Sequence, residues 1–136
     1  MSDPFLIVLV EDNPADVFLV QEAITMHEVL ASVLVIRNGE DAIRLINKAD
    51  ADDNAPCPAL FLLDLNIPMK NGEEVLAHIR NSRRCANTPV VVVTSSDSPQ
   101  DHARAERLGA NHYFRKPTDL DAFMRIGEII KGMLGM

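Results

Sequence analysis

Four apolar runs in this sequence end on residues that can do chemistry: FLIVLV on Glu11-Asp12, LFLL on Asp64, VVVV on Thr94, and the short HYF run on Arg115-Lys116. An acid at the tip of a buried strand is costly unless a cation or hydrogen bonds compensate it. Three carboxylates gathered at one low-dielectric rim repel one another and require a cation. Oxygen ligands without histidine or cysteine suit a hard ion such as Mg²⁺, which keeps waters and is completed by phosphate. Lys116 adds a mobile point charge for balancing acids or holding a phosphoryl oxygen, and Thr94 adds a hydroxyl. Together these groups make a phosphoryl-transfer set: cation and lysine neutralise developing charge while an aspartate oxygen attacks in line.

Taken singly, most of these residues have ordinary explanations. Asp12 reads as a helix N-cap, Thr94 as a cap or turn residue, and Lys116 as a solvated surface lysine. Asp64 is harder to dismiss, because four apolar residues precede it and Pro68 and Asn71-Gly72 mark a tight loop after it. The signal is the coincidence of all four strand ends.

The elements that would position them follow from periodicity. Strands are expected at Phe5 to Val10, Ser32 to Ile36, Leu60 to Leu63, Pro89 to Val93 and His112 to Phe114. Helices are expected from Ala15 to about His27, Glu40 to Lys48, Glu73 to Asn81, Pro99 to Leu108, and Thr118 or Asp119 to Met133, with Pro14 and Pro99 at helix starts and Gly109 at a stop. Alternating strands and helices predict βαβ units, hence an α/β fold with a parallel sheet covered on both faces. Right-handed crossovers then place every strand's carboxyl end on one edge, where such sheets hold ligands.

Composition narrows the class further. The 136 residues at 47% hydrophobic content predict a single domain over residues 1–136 with a real core and no output domain. A net charge of −7 with no basic run argues against nucleic acid. No apolar stretch approaches the ~20 residues of a membrane span, and no secretory signal is seen. Cys57 and Cys85, far apart in sequence, read as reduced thiols in a cytoplasmic protein.

With these residues in hand, the chain resembles the receiver domain of two-component response regulators, a flavodoxin-like (βα)₅ fold with a doubly wound five-stranded sheet. The resemblance covers nearly the whole chain and rests on Glu11-Asp12, Asp64-x-Asn66-x-Pro68 with Gly72 beyond, Thr94-Ser95, and Lys116-Pro117. It implies that Asp64 accepts a phosphoryl group from a sensor histidine kinase or a histidine-phosphotransfer protein. Asp12 and Asp64 would ligate Mg²⁺, with Asn66 contributing its backbone carbonyl and Glu11 acting through water. Lys116 would bind a phosphoryl oxygen, and Pro117 would follow a cis peptide. Thr94 and Tyr113 would form the switch, biasing a surface of helix four, strand five and helix five toward a downstream protein target or onward transfer. The only catalysis implied is the domain's own phosphorylation and dephosphorylation. Glu11 stands where an aspartate is commoner. VEDNPAD, LDLNIP and the acidic loop before strand three are similar to small stand-alone regulators, including those paired with bacterial phytochromes.

Two surfaces are expected to meet partners. Val17-Phe18-Leu19-Val20 puts four apolar residues in one helical turn, so one must face outward; spacing selects Phe18, with Val17 next, as a docking anchor beside the acidic cleft. Ile129 falls off the last helix's apolar stripe, and Gly132 to Met136 is apolar for a chain end, so a homodimer contact or partner contact is expected there. Two rival classes fare worse. A Mg²⁺-dependent aspartate-phosphoenzyme phosphohydrolase of the haloacid-dehalogenase type needs an acid two residues after its nucleophile, where this chain has Asn66. A flavin module needs a Ser/Thr/Gly-rich loop after strand one, where Glu11-Asp12-Asn13-Pro14 would repel phosphate.

Overall fold

The computed structural model describes residues 4–136. Five strands, β1 (Phe5–Val10), β2 (Ala31–Ile36), β3 (Leu60–Leu63), β4 (Val90–Thr94) and β5 (His112–Arg115), form one parallel sheet in the order β2-β1-β3-β4-β5. The helices are α1 (Pro14–Met26), α2 (Gly39–Ala51), α3 (Gly72–Arg80), α4 (Pro99–Arg107), α5 (Leu120–Met124) and α6 (Ile126–Met133). The central strands β1, β3 and β4 are apolar without alternation because both faces are covered, whereas the edge strands β2 and β5 are partly exposed. Strand parity sorts them into two cores. Ile7, Leu9, Leu60, Leu62, Val91 and Val93 pack with Val20 of α1, Phe123 of α5 and Ile130 of α6. Val8, Val10, Phe61, Leu63 and Val90 pack on the other face with Ile46 of α2 and Leu76 of α3. The expected doubly wound fold is the one observed.

Local chemistry fixes most helix ends. Asn13, Asn38, Asn71 and Ser98 are the N-caps of α1 to α4, each accepting a backbone N–H from the first turn, an arrangement that contributes roughly 1 kcal/mol per helix. Because Asn13 caps α1, the carboxylate of Asp12 is not needed for that purpose. Helix α4 ends as the sequence predicts: Gly109 sits at φ 98°, and the amides of Gly109 and Ala110 close onto the carbonyls of Glu106 and Ala105. This is a left-handed cap that glycine adopts without strain.

The last helix departs from expectation. It is two segments. Arg125 N–H donates to Ala122 and Glu128 N–H to Arg125, tightening the turn, and the Met124 carbonyl accepts from His27 Nε2 at 3.0 Å. Asp119 is its N-cap but makes no side-chain cap bond, and Thr118 is not the cap. The apolar end is also less free than its composition implied, since Ile129, Met133 and Leu134 pack partly against the α1-side core, leaving Leu120 and Met136 exposed.

The largest correction concerns the cysteines. Cys57 and Cys85 are joined in a disulfide, their Cα atoms 5.5 Å apart. Sequence distance hid the pair: the loop before β3 and the loop before β4 lie side by side at the amino edge of a parallel sheet. Charged residues hold the same two loops together. Asp50 accepts from Ser82 Oγ at 2.6 Å and from the Arg84 amide at 2.9 Å, and one guanidinium nitrogen of Arg84 donates to the carbonyls of Ala49, Asp52 and Ala55.

Candidate functional site

Backbone rungs place the site. The Glu11 amide donates to the Ile36 carbonyl at 2.9 Å, the Asp64 amide to Val10 at 3.0 Å, and the Lys116 amide to Thr94 at 2.7 Å. Each of these residues thus lies just past its strand and is still held by the neighbouring one. A parallel register therefore turns three separate strand ends into one rim.

At that rim Lys116 Nζ donates to Glu11 Oε1 at 2.6 Å, Asp16 Oδ2 at 2.8 Å and Asp64 Oδ2 at 3.0 Å. Glu11 and Asp64 are 2% and 6% exposed, so little water screens them. One ammonium serves three acids, and the pKa directions follow from that ratio. Burial would pull the lysine down, but hydrogen bonds to Asp16 and Glu11 and the Asp64 charge hold it above its ordinary range. Burial pushes the Glu11 carboxyl up to about 7 against the pull of Lys116, and the nearby Asp64 charge adds to the rise. The cluster is short of positive charge.

Its geometry accommodates more. Glu11, Asp12 and Asp64 each offer a carboxylate oxygen, all within 4.8 Å of one another, with Asp12 exposed to the cleft. Three such donors facing an open cleft suit a hard divalent ion that retains waters. Asp64 Oδ1 accepts from the Asn66 amide at 3.0 Å, which fixes the carboxylate's orientation. Helix α3 starts very close behind it: a Cβ on Gly72 would lie 2.3 Å from the Asp64 carbonyl oxygen, so no larger residue fits without moving the β3 end.

Thr94 is fully buried, and its Oγ1 accepts from the Ser96 amide at 3.3 Å. The half-buried Tyr113 donates its hydroxyl to the Ser96 carbonyl at 3.1 Å and stacks on His102 at 4.5 Å. Both residues therefore converge on the β4–α4 loop. The cleft wall beside Asp64 is built from Ser95, Pro117 and Thr118. The Lys116–Pro117 peptide is trans, as is every peptide among the described residues, contrary to the cis bond the resemblance implied. Trans is the lower-energy isomer even before proline, and Lys116 reaches the acids from it. Phe18 is 59% exposed as spacing requires, whereas Val17 is buried in the core.

Sequence reading missed Asp16. An acid in the first turn of a helix is normally explained by the helix dipole, and only the fold swings this one toward Lys116. The available signal was the density of acids in Glu11-Asp12-Asn13-Pro14-Ala15-Asp16, with the second aspartate one helical turn after the first.

A parallel (βα)₅ sheet with a lysine–carboxylate rim at its carboxyl edge defines a receiver-type signalling domain. The chain belongs to the response regulator receiver domain family, whose model matches residues 7–127. It is 38% identical to the response regulator Rcp1 of Synechocystis sp. over 134 residues, covering 95% of this chain and 91% of that protein. The crystal structure of the phosphorylated cyanobacterial phytochrome response regulator RcpA superposes with a TM-score of 0.85 at 36% identity, covering 96% of this chain and 94% of that one. The Mn²⁺-bound form of Rcp1 superposes with a TM-score of 0.83 at 35% identity, over 95% and 93% of the two chains.

Proposed function

We propose that Asp64 is the phosphoacceptor of this receiver domain, taking its phosphoryl group from a sensor histidine kinase or a histidine-phosphotransfer protein. The observation that carries this reading is the sharing of Lys116 among Glu11, Asp16 and Asp64. A cation divided among three acids can be reassigned to an incoming phosphoryl oxygen. Asp64 Oδ2 forms the new P–O bond as the donor's P–N bond breaks, and Lys116 follows the transferred oxygens. Glu11, Asp12 and Asp64, with the Asn66 carbonyl, would hold Mg²⁺, which when bound neutralises charge on the phosphoryl oxygens. The manganese in Rcp1 and the phosphorylated state of RcpA support this by likeness.

The remaining assignments follow from the same reading. Thr94 moves toward the phosphoryl group and Tyr113 turns with it, altering the face of α4, β5 and α5 for a downstream protein or for onward transfer. The only catalysis in this reading is the domain's own phosphorylation and dephosphorylation. Exposed Phe18, two residues after Asp16 on α1, docks the donor, and the exposed Leu120 and Met136 offer a contact to a second copy. A cytoplasmic location with the kinase would set the Cys57–Cys85 link against a reducing glutathione pool.

The test is phosphate-affinity electrophoresis after incubation with acetyl phosphate and Mg²⁺. A shifted band is expected in the wild type and is absent with EDTA or in Asp64→Asn. Phe18→Ala should label normally with acetyl phosphate yet slow transfer from a phosphohistidine donor. An unshifted wild type would leave the fold standing and remove the phosphoacceptor assignment.

A further inference from the structure

Ser96 is joined to the rest of the molecule in four ways. Its amide donates to Thr94 Oγ1 at 3.3 Å, its carbonyl accepts from Tyr113, its hydroxyl donates to Asp101 Oδ2 at 2.6 Å, and the same hydroxyl accepts from the Ser98 amide at 3.2 Å. The Ser98-Pro99-Gln100-Asp101 start of α4 is a sequence in which an acid at the third helical position ordinarily reaches back to the cap amide. Here the acid reaches past it. The Ser98 amide is satisfied by Ser96 Oγ, and Asp101 is spent on Ser96 instead.

The chain of contacts continues outward. The other carboxylate oxygen of Asp101 accepts from the Arg104 guanidinium one turn along α4, and Arg104 Nε donates to Glu73 Oε1 on α3 at 3.0 Å. Glu73 directly follows Gly72, whose backbone abuts Asp64. Asp101, Arg104 and Glu73 line one recess with Leu65 and Asn66, just beyond the acid at the β3 tip. A continuous path thus runs from Thr94 and Tyr113 through Ser96 across two helices to the start of α3. Its inner bond is charge-assisted and half-buried, and its outer pair is partly exposed.

We propose that Asp101, Arg104 and Glu73 are positioning residues forming a latch that holds Ser96, and through it Thr94 and Tyr113, in the resting arrangement. Thr94 cannot approach Asp64 without giving up or carrying along the Ser96 amide, and the latch opposes that movement from the α3 side. Loosening it raises the fraction of molecules with the β4–α4 loop released, so a ligand or modification favouring that state is taken up more readily. The second readout below rests on Asp64 being the phosphoacceptor, whereas the first does not.

The chain has one tyrosine and no tryptophan, so its tyrosine emission reports Tyr113 alone. Arg104→Met removes the guanidinium from an exposed position and should fold normally; Asp101→Ala removes the inner bond, with a urea midpoint as the folding check. In unphosphorylated protein, both variants should increase acrylamide quenching of Tyr113, with Arg104→Lys falling between Arg104→Met and wild type. With acetyl phosphate and saturating Mg²⁺, Arg104→Met should label about twofold to fivefold faster, the span expected for one partly exposed ion pair. Arg104→Met indistinguishable from wild type in Tyr113 quenching, or labelling more slowly, overturns the latch. Altered quenching with no labelling of any form keeps the latch and removes the assignment of Asp64 instead.

Discussion

At the carboxyl edge of the sheet one ammonium, Lys116 Nζ, is divided among the carboxylates of Glu11, Asp16 and Asp64, whereas at the amino edge Arg84 ends on three backbone carbonyls and Asp50 on backbone amides and a hydroxyl. The first arrangement joins side chains to side chains. It can be redistributed by rotamer changes, and with one ammonium for three acids it is short of positive charge. The second joins side chains mostly to main chain and is reinforced by the Cys57–Cys85 link, so it cannot rearrange without moving two loops. The difference separates what can respond from what must stay still. A chemical event at Asp64, as proposed, would repartition charge against a sheet whose far edge is clamped.

Breaking the carboxyl edge should have the largest effect. Lys116→Met leaves buried acids without their cation, and removing one partner from a buried pair costs about 3–5 kcal/mol. Urea unfolding should show a loss of that order, partly restored by millimolar Mg²⁺, together with loss of acetyl phosphate labelling. A Mg²⁺-independent deficit would mean that the acids do not form a cation site.

Opening the amino edge should cost stability without touching the chemistry. The disulfide spans 28 positions, and a loop of that length is worth about 3.5 kcal/mol in the chain-entropy account. Reduction, or Cys57→Ser with Cys85→Ser, should lower the urea midpoint while the labelling rate stays within about twofold, because the hydrogen bonds of Asp50 and Arg84 remain. A large fall in labelling would show that the two edges are coupled rather than independent.

The smallest effect concerns Asp50. Its hydrogen bond from Ser82, aided by the Arg84 amide, holds the carboxyl below its usual range. A lowered folded-state pKa contributes stability that is fully present above the unfolded value near ~4 and is lost as pH falls through the folded value. The stability gap between wild type and Asp50→Asn should therefore be widest above pH ~4 and close under more acidic conditions, as read from urea midpoints across that range. A gap independent of pH would assign the role of Asp50 to packing.

Much of the fold was legible because its signals are local. Four apolar runs, Pro14 and Pro99 at helix starts and Gly109 at a stop mark strands and helix ends within a few residues, and parallel topology then carries strand tips to one edge. What escaped depends on chain segments meeting from a distance. The split at Arg125 answers to His27, far away in sequence at the end of α1 just past Met26. Ile129 looks surplus on a helical wheel and Met133 stands in an apolar chain end, yet the α1-side core absorbs part of each. The peptide before Pro117 has an isomer that residue types alone do not specify.

The sequence by itself determined the edge: which residues stand at the strand tips, that their acids need a cation, and that Phe18 must face out of α1. Hydrophobic periodicity and short-range capping settle those points, since each depends on residues within one turn or one strand. Only the tertiary structure decided that Asp16 joins the Lys116 cluster, that Cys57 and Cys85 meet, and that Ser96 gathers Thr94, Tyr113 and Asp101 into one network. Those are contacts between elements. Their distances follow from strand register and helix packing, which no local pattern encodes.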